Sequence, residues 1–141
     1  RLFDGMPDVL AALDAAGVRW GVISNKIERL VRPIVNGLGL ATRSVCAIGG
    51  DTTAHAKPHP APLLHGATLA GVQASRCVYV GDDLRDIEAG RAAGMRTVAA
   101  AYGYCGSDHP PERWGADHLI REPRELIALL LGEPATGSVR A

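Results

Sequence analysis

Three short apolar runs, each ending in polar residues and leading into a helix-like stretch, constrain the fold of this chain more than any other feature. They are VRWGVIS (Val18 to Ser24), SVCAIGGD (Ser44 to Asp51) and RCVYVGDD (Arg76 to Asp83), followed later by RTVAAAYG (Arg96 to Gly103) and the shorter ADHLIRE (Ala116 to Glu122). Near-continuous apolar, β-branched character belongs to strands covered on both faces, as parallel strands are when helices flank a sheet. Between the runs lie helix patterns: PDVLAALDAAG with proline at its start and glycine at its end, IERLVRPIVNGLGL from Ile27 to about Asn36, APLLHGATLAG, LRDIEAGRAAG and PRELIALLLG. Pro33 must sit in the first turns of the second helix or kink it, because proline lacks the N–H that a helix interior needs. The alternation predicts an α/β fold, a parallel sheet with helices on both faces.

At 141 residues and 47% apolar composition, the chain has enough material for one domain with a core and too little for two. We read residues 1–131 as that core and the small, polar residues 132–141 as a frayed tail. Fifteen basic and fifteen acidic residues cancel, so no global field favours nucleic acid or an anionic membrane; an anionic ligand must be held by a local constellation. No apolar run reaches about 18 residues and no basic-then-apolar leader is present, which predicts neither a membrane span nor a signal peptide. Cys46, Cys77 and Cys105 are odd in number and form no Cys-x-x-Cys pair, which points to a reducing, cytoplasmic compartment. In HAKPHP (His55 to Pro60) the prolines favour an extended loop over a pair of zinc-binding histidines one helical turn apart. The opening residue is Arg1 rather than Met, and we expect a truncated gene product.

Ligands of open parallel sheets bind beyond the carboxyl ends of the strands, so the polar residues there are the candidates. Ser24-Asn25-Lys26 offers a hydroxyl and outward N–H groups at a strand-to-helix turn, suited to a phosphoryl oxygen, although the same residues serve as helix caps. Lys57 precedes Pro58 and is held extended, so that its ammonium can reach a neighbouring anionic site or stand in solvent. In VYVGDDLRD, Asp82 and Asp83 end a strand and Asp86 follows one turn later. Convergent carboxylates are costly without a cation, and hard oxygen ligands favour Mg²⁺; alternatively Asp83 caps the helix and Asp86 faces solvent. Hydroxyl, lysine and carboxylates in this order make a phosphate and Mg²⁺ site that lacks a nucleophile.

With GVISNK, GGDTTAHAKPHPAPLL, VYVGDDLRDIEAGRAAGMRTVAAAYGY and WGADHLI, nearly the whole chain resembles the haloacid dehalogenase superfamily, specifically its phosphoglycolate phosphatase-like members. The resemblance implies a Rossmann-like core and a Mg²⁺-dependent phosphate monoester hydrolase acting on a small phosphorylated metabolite. It implies that Ser24, with Asn25, binds the phosphoryl group, that Lys57 neutralises nucleophile and phosphoryl charge, that Asp82 ligates Mg²⁺ and that Asp86 supports the metal. It also implies an aspartyl-phosphate mechanism whose two aspartates lie in Asp-x-Asp-Gly-Thr on a first, central strand.

RLFDGMP at the start, Arg1 to Pro7, has the look of that motif and fails it. Were Asp4-Gly5 its second half, the nucleophile would be residue 2, which is Leu2, and Met6 stands where threonine is needed. In the relatives a similar stretch follows the helical cap, so Asp4 is expected to be a hinge residue. The first strand, both catalytic aspartates and the cap are then absent from the chain. We expect a gap in the middle of the sheet unless another chain fills it or the sheet rearranges, and no turnover in isolation. A receiver-like domain is the main rival, but there the acidic pair comes early and the lysine late, whereas Lys57 precedes Asp82. No Gly-x-Gly-x-x-Gly follows a strand, which excludes a dinucleotide fingerprint, while a non-catalytic scaffold of the same fold stays open. Phosphoglycolate is the first substrate choice. LFDGMPDVL, GDDLRDIEAGRAAG and RWGAD also resemble N-acetylmuramic acid 6-phosphate phosphatases. The sequence sets no oligomeric state.

Overall fold

The computed structural model describes residues 4–40, 42–103 and 109–132. Leu2, Cys105 and the expected tail beyond Gly132 lie outside them. The chain runs α1 (Met6–Ala15), β1 (Val22–Ile23), α2 (Glu28–Gly37), β2 (Ala47–Ile48), α3 (Ala61–Ala70), β3 (Val78–Gly81), α4 (Leu84–Ala92), β4 (Arg96–Ala100), β5 (His118–Ile120) and α5 (Glu125–Leu131), with single 3₁₀ turns at Ala74–Arg76, Ala101–Gly103 and Pro111–Arg113.

Every strand pairing is parallel, as expected. Side chains alternate between two helical layers. Val22, Val78, Val80 and Val98 pack with α1, α2 and α5 around Val9, Leu13, Val31, Val35 and Leu126, while Ile23 and Tyr79 pack with α3 and α4 around Leu63, Ala67, Ala89 and Met95. Each helix contributes the apolar stripe its sequence predicts; Val9, Leu10 and Leu13, for example, are the buried face of α1. Pro33 lies inside α2, beyond its first turn, where the helix forgoes one backbone hydrogen bond.

The sheet is split. Among the described residues β1 pairs only with β2, and β3, β4 and β5 form a separate sheet. Val22 N–H donates to Cys46 O (3.0 Å) and Ser24 N–H to Ile48 O (2.9 Å). Because pairing groups alternate along a strand, the N–H and C=O of Ile23 point the other way. On the other side Arg96 N–H donates to Cys77 O (3.2 Å), with Val78 in register with Arg96, so the N–H and C=O of Val78 and Val80 also face away from β4. Between these two open edges lies a cavity of about 1310 Å³, lined by β1 and β3 and by apolar residues of α1, α3 and α5. One-sided pairing also explains why β1 and β2 are two residues long where longer runs were expected. β4 ends at Ala100, before the expected Gly103, because the chain turns there into a 3₁₀ element that crosses the strand tips.

Candidate functional site

The site is built at the carboxyl ends of β1 and β3, at the mouth of the cavity. After β1, Ser24 Oγ accepts from Lys26 N–H (3.1 Å), closing a tight turn and leaving the hydroxyl proton to donate outward. The Gly49–Thr52 segment after β2 wraps this turn. Gly50 N–H donates to Lys26 O (2.7 Å), and a Cβ on either Gly49 or Gly50 would collide with the backbone of residues 25–28. Glu28 N–H, at the start of α2, donates to Asp51 Oδ1 (2.6 Å).

Asn25 fastens the turn to the next loop. Its Nδ2 donates to Lys57 O and its Oδ1 accepts from Lys57 N–H, both at 3.0 Å. The Lys57 ammonium is thereby directed inward, with its side chain only 9% exposed. It donates to Asp86 Oδ1 (2.6 Å), Tyr79 Oη (2.9 Å) and Ile23 O (3.3 Å). Lys57 is therefore a buried, hydrogen-bonded charge rather than a solvated surface one.

The three carboxylates of GDDLRD do not converge. Asp83 turns away to cap α4, accepting from Arg85 N–H (2.9 Å) and pairing with the Arg85 side chain (3.1 Å), and these bonds hold its carboxyl below the usual range. Asp86 is buried and folds back over the strand tip, accepting from Lys57 and, through Oδ2, from Asp82 N–H (3.1 Å). This requires glycine at position 81, since a Cβ there would stand inside the Asp86 side chain. Asp82 lines the cavity, and Gly103 lies so close that an added Cβ would be 2.5 Å from its Oδ2. Desolvation by the surrounding wall raises the Asp82 carboxyl above the usual range, and the nearby Asp86 charge adds to it. Burial and the same two carboxylates push the Tyr79 phenol up, keeping it protonated.

The residues present would supply only part of the ligand set that a Mg²⁺ ion needs. Each Asp86 oxygen accepts from one protein donor and keeps a second acceptor site, while the Asp82 carboxylate lines the cavity. Among the described residues no group of three or more His, Cys, Asp or Glu is placed to hold a metal ion. His55 and His59 stack on one another (centroids 4.3 Å apart) rather than converging on an ion.

The structure thus brings Ser24, Asn25, Lys57, Asp82 and Asp86 to one cavity mouth; Asp83 also borders it, but its carboxylate is committed to capping α4 and to Arg85. Asp4 sits in the turn that enters α1. Sequence reasoning passed over Tyr79, Gly49, Gly50 and Gly103. The glycine pair straight after an apolar run was a legible sign of close backbone approach, whereas Tyr79 looked like any strand aromatic.

Comparison with known proteins fits this geometry. Residues 1–100 match the family described as haloacid dehalogenase-like hydrolase, and the chain belongs to that family. Among its relatives it is 51% identical over 126 residues to the phosphoglycolate phosphatase of Xanthomonas campestris pv. campestris, covering 89% of this chain and 57% of that protein. It is 46% identical over 130 residues to the N-acetylmuramic acid 6-phosphate phosphatase of Pseudomonas aeruginosa, covering 92% of this chain and 58% of the relative. The crystal structure of a predicted phosphoglycolate phosphatase from Haemophilus somnus superposes with a TM-score of 0.84 at 29% identity, covering 92% of this chain and 57% of that one. The chain therefore spans a little over half the length of the proteins it matches.

Proposed function

We propose that residues 1–131 are the core portion of a Mg²⁺-dependent phosphate monoester phosphatase that acts on a small phosphorylated metabolite in the cytoplasm, with phosphoglycolate the first candidate. The observation that carries this reading is Lys57, anchored by three acceptors beside the Ser24–Asn25 turn and the Asp82 tip, at the mouth of an open slot. Ser24 and Asn25 would hold phosphoryl oxygens, and Lys57 would offset the charge that builds on the transferring group. Asp82 would contribute one Mg²⁺ ligand, the remaining ligands coming from outside this chain.

The nucleophile has to come from elsewhere, because Asp-x-Asp-Gly-Thr does not occur among the 141 residues. A strand carrying it, supplied by polypeptide beyond residues 1–141, fits between the edges of Ile23 and of Val78 and Val80. It would pair with the outward-facing Ile23 N–H and with the backbone groups of Val78 and Val80, and put its carboxyl end beside Lys57. The 46% identical N-acetylmuramic acid 6-phosphate phosphatase favours a bulkier sugar phosphate as the second reading.

The test is hydrolysis of p-nitrophenyl phosphate, phosphoglycolate and N-acetylmuramic acid 6-phosphate with Mg²⁺, by the chain alone and with a second polypeptide bearing an apolar strand that ends in Asp-x-Asp-Gly-Thr. Turnover is expected only in the mixture, and only with Asp82 intact. Robust Mg²⁺-dependent turnover by the chain alone, abolished by Asp82→Asn, would overturn the reading that the nucleophile comes from elsewhere.

A further inference from the structure

Lys57 raises a physical problem that Tyr79 answers. A buried ammonium held by one carboxylate alone can swing about that contact, and a flexible four-carbon stem offers little resistance. Asp86, at 2.6 Å, sets how close the ammonium sits but not where its other two N–H groups point. In this structure its three protons are instead spread over three directions, to Asp86 on α4, to Tyr79 on β3 and to the Ile23 carbonyl on β1.

The phenol is the central member of this set. Its Oη accepts from Lys57 Nζ at 2.9 Å and lies 3.4 Å from Ile23 O, to which it can donate. A hydroxyl does both at once, which neither an ionised carboxylate nor an ammonium can do. It is neutral, so it orients the ammonium without cancelling its charge. The ring packs in the layer of Leu63, Ala67 and Ala89, and Lys57 Nζ lies 5.4 Å from the ring centroid. Tyr79 therefore spans from β3 towards β1 beneath the slot and fixes the height at which the ammonium sits.

We propose that Tyr79 is the positioning residue for Lys57: its hydroxyl, bridging Lys57 Nζ and the Ile23 carbonyl, fixes the direction of the ammonium that Asp86 pairs with and lets it turn one N–H to an incoming anion. The bond given up is the longest, Lys57 to Ile23 O at 3.3 Å, and the Tyr79 hydroxyl then satisfies that carbonyl by itself. The inference deepens the phosphatase reading, since it rests on Lys57 facing the phosphoryl group.

The chain has two lysines, Lys26 and Lys57, so the two ammonium signals of the ¹⁵N-labelled protein are assigned with a single Lys26→Arg variant. Lys57 should give a slowly exchanging ¹⁵Nζ–H signal in the native chain. Tyr79→Phe keeps the ring and should speed that exchange about fivefold, the worth of one hydrogen bond, while the backbone spectrum stays in place. Tyr79 as packing alone predicts an unchanged Lys57 signal in Tyr79→Phe, and that result overturns the proposal. A variant that does not fold leaves a measurement on the native chain: a cross-peak between the Tyr79 hydroxyl proton and the Lys57 ammonium supports the bridge, and its absence beside a visible ammonium signal rejects it. Titration with inorganic phosphate separates this proposal from the one beneath it. If Tyr79→Phe loosens Lys57 but phosphate never shifts the Lys57 signal, Tyr79 positions Lys57 and the phosphoryl-binding reading fails.

Discussion

β3 and β4 are parallel neighbours with similar apolar sequences, VYVG and RTVAA, yet they live in different surroundings. From Thr97 to Ala100 β4 is buried, Thr97, Val98 and Ala99 at 0% exposure, with β3 on one side and β5 on the other. β3 is only half-buried from Val78 to Val80, because one of its edges looks into the slot. The lesson is that burial in a sheet is conferred by neighbours as much as by side-chain chemistry. A strand written for two neighbours and given one becomes an exposed edge, and such edges recruit further strands. The candidate site lies along this incomplete side, and its buried ion pair, Lys57–Asp86, is also the tie between α4 and the loop that leads into α3.

Breaking that tie should have the largest effect. Asp86→Ala leaves a buried lysine without its anion and should destabilise the chain by about 3–5 kcal/mol in urea unfolding, with Asp86→Asn less severe. Cavity mutations sharpen the contrast between the strands themselves: Val98→Ala should cost about 2 kcal/mol, while Val80→Ala, whose side is already open, should cost under about 1 kcal/mol. Equal costs would mean that β3 is as enclosed as β4. Asp82 gives the smallest effect and the opposite sign. Its folded pKa lies above the ordinary value of 3.8, so the folded state binds its proton more tightly than the unfolded chain does. This contribution is present below 3.8 and is lost as pH rises through the folded value. Asp82→Asn should therefore raise the melting temperature at pH 7 by about 1–3 °C and flatten that part of the stability profile. Asp117 runs the other way. Thr97 N–H donates to it at 2.8 Å and holds its pKa down, so its support of the β4–β5 pair disappears only as pH falls below the ordinary range.

How much of this was legible depended on range. The parallel α/β order, the helix that Asp83 caps and the grouping of Ser24, Lys57 and Asp82 at strand ends all follow from local pattern, because apolar runs and caps carry their meaning within a few residues. The split of the sheet was legible only by way of the resemblance, through the absence of a first strand, since nothing in VRWGVIS or RCVYVGDD says which of its edges is paired. The fate of Asp86 was hidden for another reason. Whether a carboxylate one turn into a helix faces solvent, a metal or a lysine 29 positions away is decided by tertiary packing and by the missing Cβ at Gly81. Tyr79 was hidden in the same way, its hydroxyl acquiring a role only where Lys57 and Ile23 meet it.

Amide hydrogen exchange resolved by residue tests the central claim most directly, because the open-slot account predicts which backbone groups lack a partner. The amides of Ile23, Val78 and Val80 should exchange much faster than those of Tyr79 and Val98, and should become protected when a polypeptide carrying the apolar strand is added. If Val78 and Val80 are protected as well as Val98 in the chain alone, no open edge exists between β1 and β3, and the account of an incomplete sheet awaiting its central strand is contradicted.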